Sequence, residues 1–148
     1  MFNYILEISV LSMMLAQISK LFTKYFVSGE WDFTVLASTG GMPSSHTSLV
    51  TTLTMTLGLI YGFGSVEFAM SAVFSAVIIH DAMGIRFEAG KHASVLNRIA
   101  KDVEYIMNRE AKYEEKFKEL LGHKPIEVFG GFVLGIAIGL IGYYYWFL

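Results

Sequence analysis

The sequence predicts an all-α integral membrane bundle: about four transmembrane helices, with a long amphipathic helix on the cytoplasmic side. Three observations predict it. The 148-residue chain is 54% hydrophobic and only 16% charged, whereas a soluble domain carries about 25% charged residues. Its apolar residues gather into four stretches divided by polar segments. Between the third and fourth stretches, Arg86–Lys124 holds most of the charge and spaces its apolar residues at helical intervals. A chain of this length suits one domain, 1–148, with an amphipathic helical insertion at about 87–121.

The first stretch runs from Phe2 to Val27, with Glu7 near one end and Gln17, Lys20 and Lys24 near the other. It lacks the basic start and small-residue cleavage site of a signal peptide, so it reads as a retained span. The second, Thr47 to Gly62, is short and rich in Ser and Thr, which can hydrogen-bond within a helix. The third, Val66 to Ile85, carries His80 and Asp81. The fourth, Ile126 to Leu148, ends in Tyr143-Tyr-Tyr-Trp-Phe147, which suits an interfacial aromatic belt, as do Trp31 and Phe33. A span needs about 20 apolar residues, so the second stretch qualifies only marginally. Gly58, Gly135, Gly139 and Gly142 suit close helix packing. In the insertion, Leu96, Ile99, Val103 and Ile106 begin an apolar stripe that Tyr113, Phe117, Leu120 and Leu121 continue. It reads as a solvated helix packed on the bundle, or as a dimer contact.

Four spans place Lys20, Lys24 and the Arg86–Lys124 segment on one side. That side holds nearly every Lys and Arg and is therefore expected to be cytoplasmic, with both termini outside. The net charge of −2 offers nothing to nucleic acid, and the lack of cysteine excludes disulfides and thiolate chemistry.

The polar residues converge on that same face. Lys20 ends span one, Pro43-Ser44-Ser45-His46 opens span two, His80, Asp81 and Arg86 close span three, and Gly122-His123-Lys-Pro-Ile-Glu127 opens span four. Ionisable groups at membrane depth mark function more often than packing. Helix N-termini bind anions through unpaired N–H groups and a partial positive charge. Gly40 and Gly41 allow a close turn, Pro43 suits a helix start, and Ser44 or Ser45 can cap it. Two helix starts, two cations and two histidines make a phosphate-sized arrangement. A neutral imidazole can attack phosphorus, a carboxylate can orient it, and a second, protonated imidazole can serve the leaving oxygen. No metal is needed for that chemistry, although Asp81 is available to orient Arg86 or to bind a divalent cation. His80 reads as a satisfied polar group against a neighbouring helix, and His92 as a loop or capping residue.

These residues resemble the type 2 phosphatidic acid phosphatase superfamily, which includes the vanadium haloperoxidases. Its Pro-Ser-Gly-His signature is matched by Pro43-Ser44-Ser45-His46. Its His, three residues, Asp, apolar, Gly pattern is matched by His123, Glu127, Val128 and Gly130. The blocks STGGMPSSH, DAMGIRFEAGKHASVLN and ELLGHKPIEVFGG, in that order, resemble a divergent branch of the superfamily over nearly the whole chain. The resemblance implies a helical membrane phosphatase with His123 as nucleophile, Glu127 as its orienting carboxylate and His46 as general acid. Lys20, Ser44, Ser45, Arg86 and Gly122 would hold phosphate, with Gly41 and Asp81 in support. The superfamily's Lys, six residues, Arg-Pro signature is absent, and Lys20 is its nearest counterpart. Phe117 stands where an arginine would precede the nucleophile, so Arg86 is the available substitute cation. Arg86 and His92 also have the Arg-to-His spacing, but Leu96, not an acid, follows His92 by four residues.

The resulting expectation is a phosphatase acting on a phospholipid or polyprenyl phosphate, metal-independent, in a homodimer. Two other readings stay open: a silent lipid-phosphate binder, and a metal-dependent hydrolase or transporter using Asp81, Glu127 and histidines.

Overall fold

The computed structural model describes residues 3–38, 40–106, 117 and 122–147. Five α-helices and one short 3-10 turn account for nearly all of them: α1 (Tyr4–Ser28), the turn Phe33–Ala37, α2 (Ser45–Tyr61), α3 (Val66–Met83), α4 (Ile85–Ile106) and α5 (Pro125–Phe147). No strand occurs among the described residues. Four of the five helices start at a residue with a local cause. Asn3 caps α1 by accepting the Leu6 N–H, and Gly29 closes it at φ 74°. Ser44 caps α2 by accepting from Thr47, and Ser65 caps α3 by accepting from Phe68. Pro125 occupies the first position of α5, where no amide hydrogen is required.

Among the described residues, three helices are long and apolar enough to cross a membrane: α1, α3 with its continuation into α4, and α5. The chain is thus an all-α membrane bundle. Of the four expected spans, α2 falls short by length. Its 17 residues rise about 26 Å at 1.5 Å each, against roughly 30 Å of hydrocarbon. It compensates by position, since it touches α1, α3 and α5 and forms the centre of the bundle.

The interior is polar in an unusual way. Thr47, Ser48, Thr52 and Thr56 of α2 are fully enclosed, as is Ser12 of α1. The hydroxyls of Ser12, Ser48 and Thr52 satisfy one another, and that of Thr47 donates to Ser44. Ser12 pairs with Ser48 at 2.6 Å, and Thr52 donates to Ser12 at 2.8 Å and to the Gly135 carbonyl at 3.0 Å. On the other side of α2, Thr54 pairs with Ser71 and Ser75 at 2.7 and 2.8 Å. Hydrocarbon supplies no hydrophobic force between helices, so such bonds and close backbone packing hold the bundle, at about 0.6 kcal/mol per bond on average.

Close packing comes from α5. A Cβ on Gly131 would collide with the Ser44 carbonyl, one on Gly135 would stand 2.8 Å from the Ser48 carbonyl, and one on Gly139 would stand 3.5 Å from the Thr52 carbonyl. The two series advance together, four residues at a time. Therefore α2 and α5 run parallel, and both N-termini lie at one end of the bundle. Lys20 against Gly41 together with Ser12 against Ser48 makes α1 antiparallel to α2, and Thr54–Ser71 together with Ser75–Val50 does the same for α3. Both chain termini consequently lie at the opposite end, where Tyr4 stacks on Trp146 with ring centroids 4.6 Å apart.

The expected amphipathic helix is α4, described to Ile106. Its continuation through Tyr113, Leu120 and Leu121 lies outside the described residues. Gly90, Ala93 and Asn97 form its buried stripe, while Leu96, Ile99 and Val103 are exposed. The Asn97 side chain donates to the Phe117 carbonyl at 2.9 Å and accepts its N–H at 3.0 Å, clasping the chain ahead of α5.

Candidate functional site

The end of the bundle that carries both parallel N-termini also collects the polar residues singled out above. Each arrives by a backbone contact. The Ser44 N–H donates to the Glu127 carbonyl at 2.8 Å, joining the start of α2 to the first turn of α5. The His123 N–H donates to the Ala82 carbonyl at 2.9 Å, joining the approach to α5 to the last turn of α3. Gly122, at φ 80°, makes the turn that delivers His123. From α1, the Lys20 side chain lies along Gly41, where an added Cβ would sit 3.6 Å from Lys20 Cδ.

His46, in the first turn of α2, faces His123 edge-on, with ring centroids 6.0 Å apart. His123 is 2% exposed and Ser44 fully buried, with Ser45 close behind. Ser44 accepts from the Thr47 N–H at 3.3 Å and from the Thr47 hydroxyl at 3.0 Å, so it is spoken for as a cap. Ser44 takes the capping position and Pro43 stands before it, outside the helix.

Lys20 is 2% exposed, and its ammonium has no hydrogen-bond partner among the described residues. The Glu127 carboxylate is the charge that acts on it. A buried ammonium with unmet donors is costly at membrane depth, and a bound anion would remove that cost. Glu127 itself accepts the Gly41 N–H at 3.3 Å and the Lys124 N–H at 3.2 Å through Oε2. The second bond is the reciprocal half of a capping box, reaching back from the third helical position. Glu127 therefore fastens the Gly41 turn to the start of α5 and sets a negative charge beside Lys20.

The structure thus brings Lys20, Gly41, Ser44, Ser45, His46, Gly122, His123 and Glu127 together. Asp81 is half-buried in the last turn of α3, one residue from the Ala82 carbonyl that holds His123, and His80 is exposed. Arg86 lies in the first turn of α4, and its side chain lies outside the description. His92 is exposed on α4, away from these residues in sequence and in burial. Among the described residues, no three His, Asp or Glu side chains gather closely enough to hold a metal ion.

The profile of the Divergent PAP2 family matches residues 1–138. The chain belongs to this family. A relative described as "Uncharacterized membrane protein YuiD", from Bacillus subtilis (strain 168), is 38% identical over 151 residues, covering 97% of this chain and 96% of the relative. No solved structure matches. Membership and the apolar helices agree on a PAP2-like integral membrane protein. Three contributors to the polar end went unread in the sequence: the Ala82 carbonyl, Thr47, and Gly131 against Ser44. Only Gly131 had a legible signal, its four-residue spacing from Gly135 and Gly139.

Proposed function

We propose that this divergent PAP2 protein is a membrane phosphatase that hydrolyses a lipid phosphomonoester or a polyprenyl diphosphate through a phosphohistidine. One observation carries the reading. Two histidine rings stand 6.0 Å apart beside a buried lysine whose donors are unmet, at the shared start of two parallel helices.

In the proposed reaction an unprotonated His123 nitrogen attacks phosphorus, and the P–O bond to the lipid breaks as the P–N bond forms. His46, as imidazolium, gives its proton to the departing oxygen, the alkoxide of a monoester or the phosphate oxygen of a polyprenyl monophosphate. Water then attacks phosphorus, losing its proton to His46, and the P–N bond breaks to release inorganic phosphate. Glu127 steadies the His123 imidazolium. Lys20, the α2 N–H groups with Ser44 and Ser45, the Gly122 turn and Arg86 neutralise the phosphoryl oxygens. Gly41 lets the loop approach, and Asp81 orients Arg86. The chemistry uses no metal. The basic residues on this side support a cytoplasmic site with both termini outside. A bundle this small encloses the site thinly, which favours a homodimer.

The test is phosphate release by the detergent-solubilised protein from a panel of phospholipid and polyprenyl phosphates, with and without chelator, beside His123→Ala. Turnover that survives chelation and vanishes in the variant is expected. Turnover abolished by chelator would overturn the metal-free mechanism. A second reading, a silent lipid-phosphate binder, is favoured by Phe117, which stands in an arginine's place with its backbone clasped by Asn97. It predicts phosphate binding with no release.

A further inference from the structure

Between α3 and α5 the bundle is open. Both helices pack on α2 but touch each other sparingly, which leaves a lateral groove of about 380 Å³ floored by α2. Thr51, Ile79 and Phe132 line its upper end, and Phe63 and Phe68 its lower end. We propose that this groove holds the hydrocarbon tail of a lipid whose phosphate sits at the His46–His123 site. The inference rests on the proposed function for the position of the phosphate.

Three features point to a hydrocarbon occupant. The groove opens sideways at the depth of the spanning helices, where the surrounding solvent is lipid. Its wall hydroxyls are engaged or enclosed: Ser75 donates to the Val50 carbonyl at 3.2 Å, Thr54 pairs with Ser71 and Ser75, and the Thr51 hydroxyl, without a partner among the described residues, is buried away from the groove surface. What they present to the groove is therefore almost wholly apolar. The upper end lies within about two helical turns of the polar site. Thr51 follows His46 by five residues, about 7.5 Å along the helix, and Ile79 lies one turn before the Ala82 carbonyl that holds His123. A cationic, hydrogen-bonding end joined to an apolar channel matches an amphiphile with an anionic head.

The lower end is closed. Phe63 and Phe68 meet edge-to-face with centroids 5.2 Å apart, and the Phe63 ring fills the space against Gly58. From Ile79 to Phe68 is eleven residues, about 16 Å, close to half of the roughly 30 Å hydrocarbon core. The groove therefore fits one tail in the leaflet nearest the site, and the aromatic pair limits its length. Ala76, exposed on the groove wall, can be enlarged without touching the polar site.

The experiment uses the full chain in nanodiscs and a phosphatidic acid whose tail carries a photoreactive diazirine. Adducts mapped by mass spectrometry are expected on groove residues such as Ala72 and Phe132, and Ala76→Trp should abolish them. In parallel, Ala76→Trp should raise KM for long-chain phosphatidic acid at least tenfold and leave turnover of a water-soluble, short-chain phosphate ester unchanged. Phe68→Ala should lengthen the longest tail accepted. Adducts spread evenly over α1 and α5, or unchanged in Ala76→Trp, would overturn the proposal. So would a cross-link between two copies through Ala76→Cys that fills the groove with protein. Groove labelling without phosphate release from any substrate would uphold the groove and overturn the hydrolytic reading instead.

Discussion

Replacing Lys20 by methionine separates a binding role from a structural one, because the two predict opposite signs. Methionine keeps the volume of the stem that lies along Gly41 and removes the ammonium. That ammonium is buried and lacks a hydrogen-bond partner among the described residues. If it serves a bound phosphate, its loss removes a charge-assisted hydrogen bond worth about 1.5–3 kcal/mol. At about 1.36 kcal/mol per tenfold, phosphate affinity and kcat/KM should fall roughly 10- to 150-fold. Folding should not suffer. Burying an ammonium with unmet donors is itself costly, so an apolar stem of similar size removes a penalty, and Glu127, which is only partly buried, keeps its bonds from Gly41 and Lys124. Phosphate titration calorimetry and thermal unfolding followed by tryptophan fluorescence read the two effects separately. A Tm several degrees lower with unchanged phosphate affinity would refute the reasoning and make Lys20 a structural partner of Glu127.

Glu127→Gln keeps an oxygen that can accept from Gly41 and Lys124, so stability should change by less than about 1 kcal/mol, while kcat should fall at least about 100-fold if the carboxylate steadies His123. Near-normal steady-state turnover would remove Glu127 from the mechanism. Gly135→Ala would put a Cβ 2.7 Å from Thr51 Cβ and 2.8 Å from the Ser48 carbonyl, an overpacking that should cost about 1–3 kcal/mol in detergent unfolding. Gly64→Ala, which meets nothing within 4 Å, is the neutral control. Asn97→Ala deletes both bonds to Phe117, and hydrogen exchange at the Phe117 amide should quicken about tenfold for each 1.4 kcal/mol lost.

Much of the polar end was legible because its determinants are local. Ser44 and Pro125 announce helix starts through capping and φ preference, and a helix start at membrane depth with a histidine beside it is conspicuous in an apolar chain. The spacing of His123 and Glu127 placed both on the approach to α5. The role of the Glu127 side chain was less legible. Its bond to Gly41 joins residues 86 apart, and only the parallel docking of α2 on α5 brings them together. Sequence spacing on one helix cannot show that a loop from another presents its N–H there. The core was misjudged in a related way. Threonine and serine in the second stretch read as intrahelical hydrogen bonders, whereas Ser48 and Thr52 bond across to Ser12 and to α5. A hydroxyl has the same composition signal in either case, and its partner is decided by which helix lies opposite.

The length of α2 ties this core to the site. A 17-residue helix falls about 4 Å short of the hydrocarbon thickness. If its Tyr61 end reaches the far interface, Ser44 and His46 begin below the near one. Backbone without helical bonds is tolerated at that depth only when protein covers it. Here the Ser44 N–H is covered by the Glu127 carbonyl, the Gly41 N–H by the Glu127 carboxylate, and the His123 N–H by the Ala82 carbonyl. Three loop amides are therefore satisfied by neighbouring helices rather than by water. The parallel glycine contacts allow this, since Gly131 brings α5 directly against the Ser44 carbonyl. A larger residue at 131 would push the two N-termini apart and loosen the Ser44–Glu127 bond before it disturbed the hydroxyl pairs deeper in the bundle. Packing and site geometry meet at that one glycine, so the polar end depends on the same small residues that close the core.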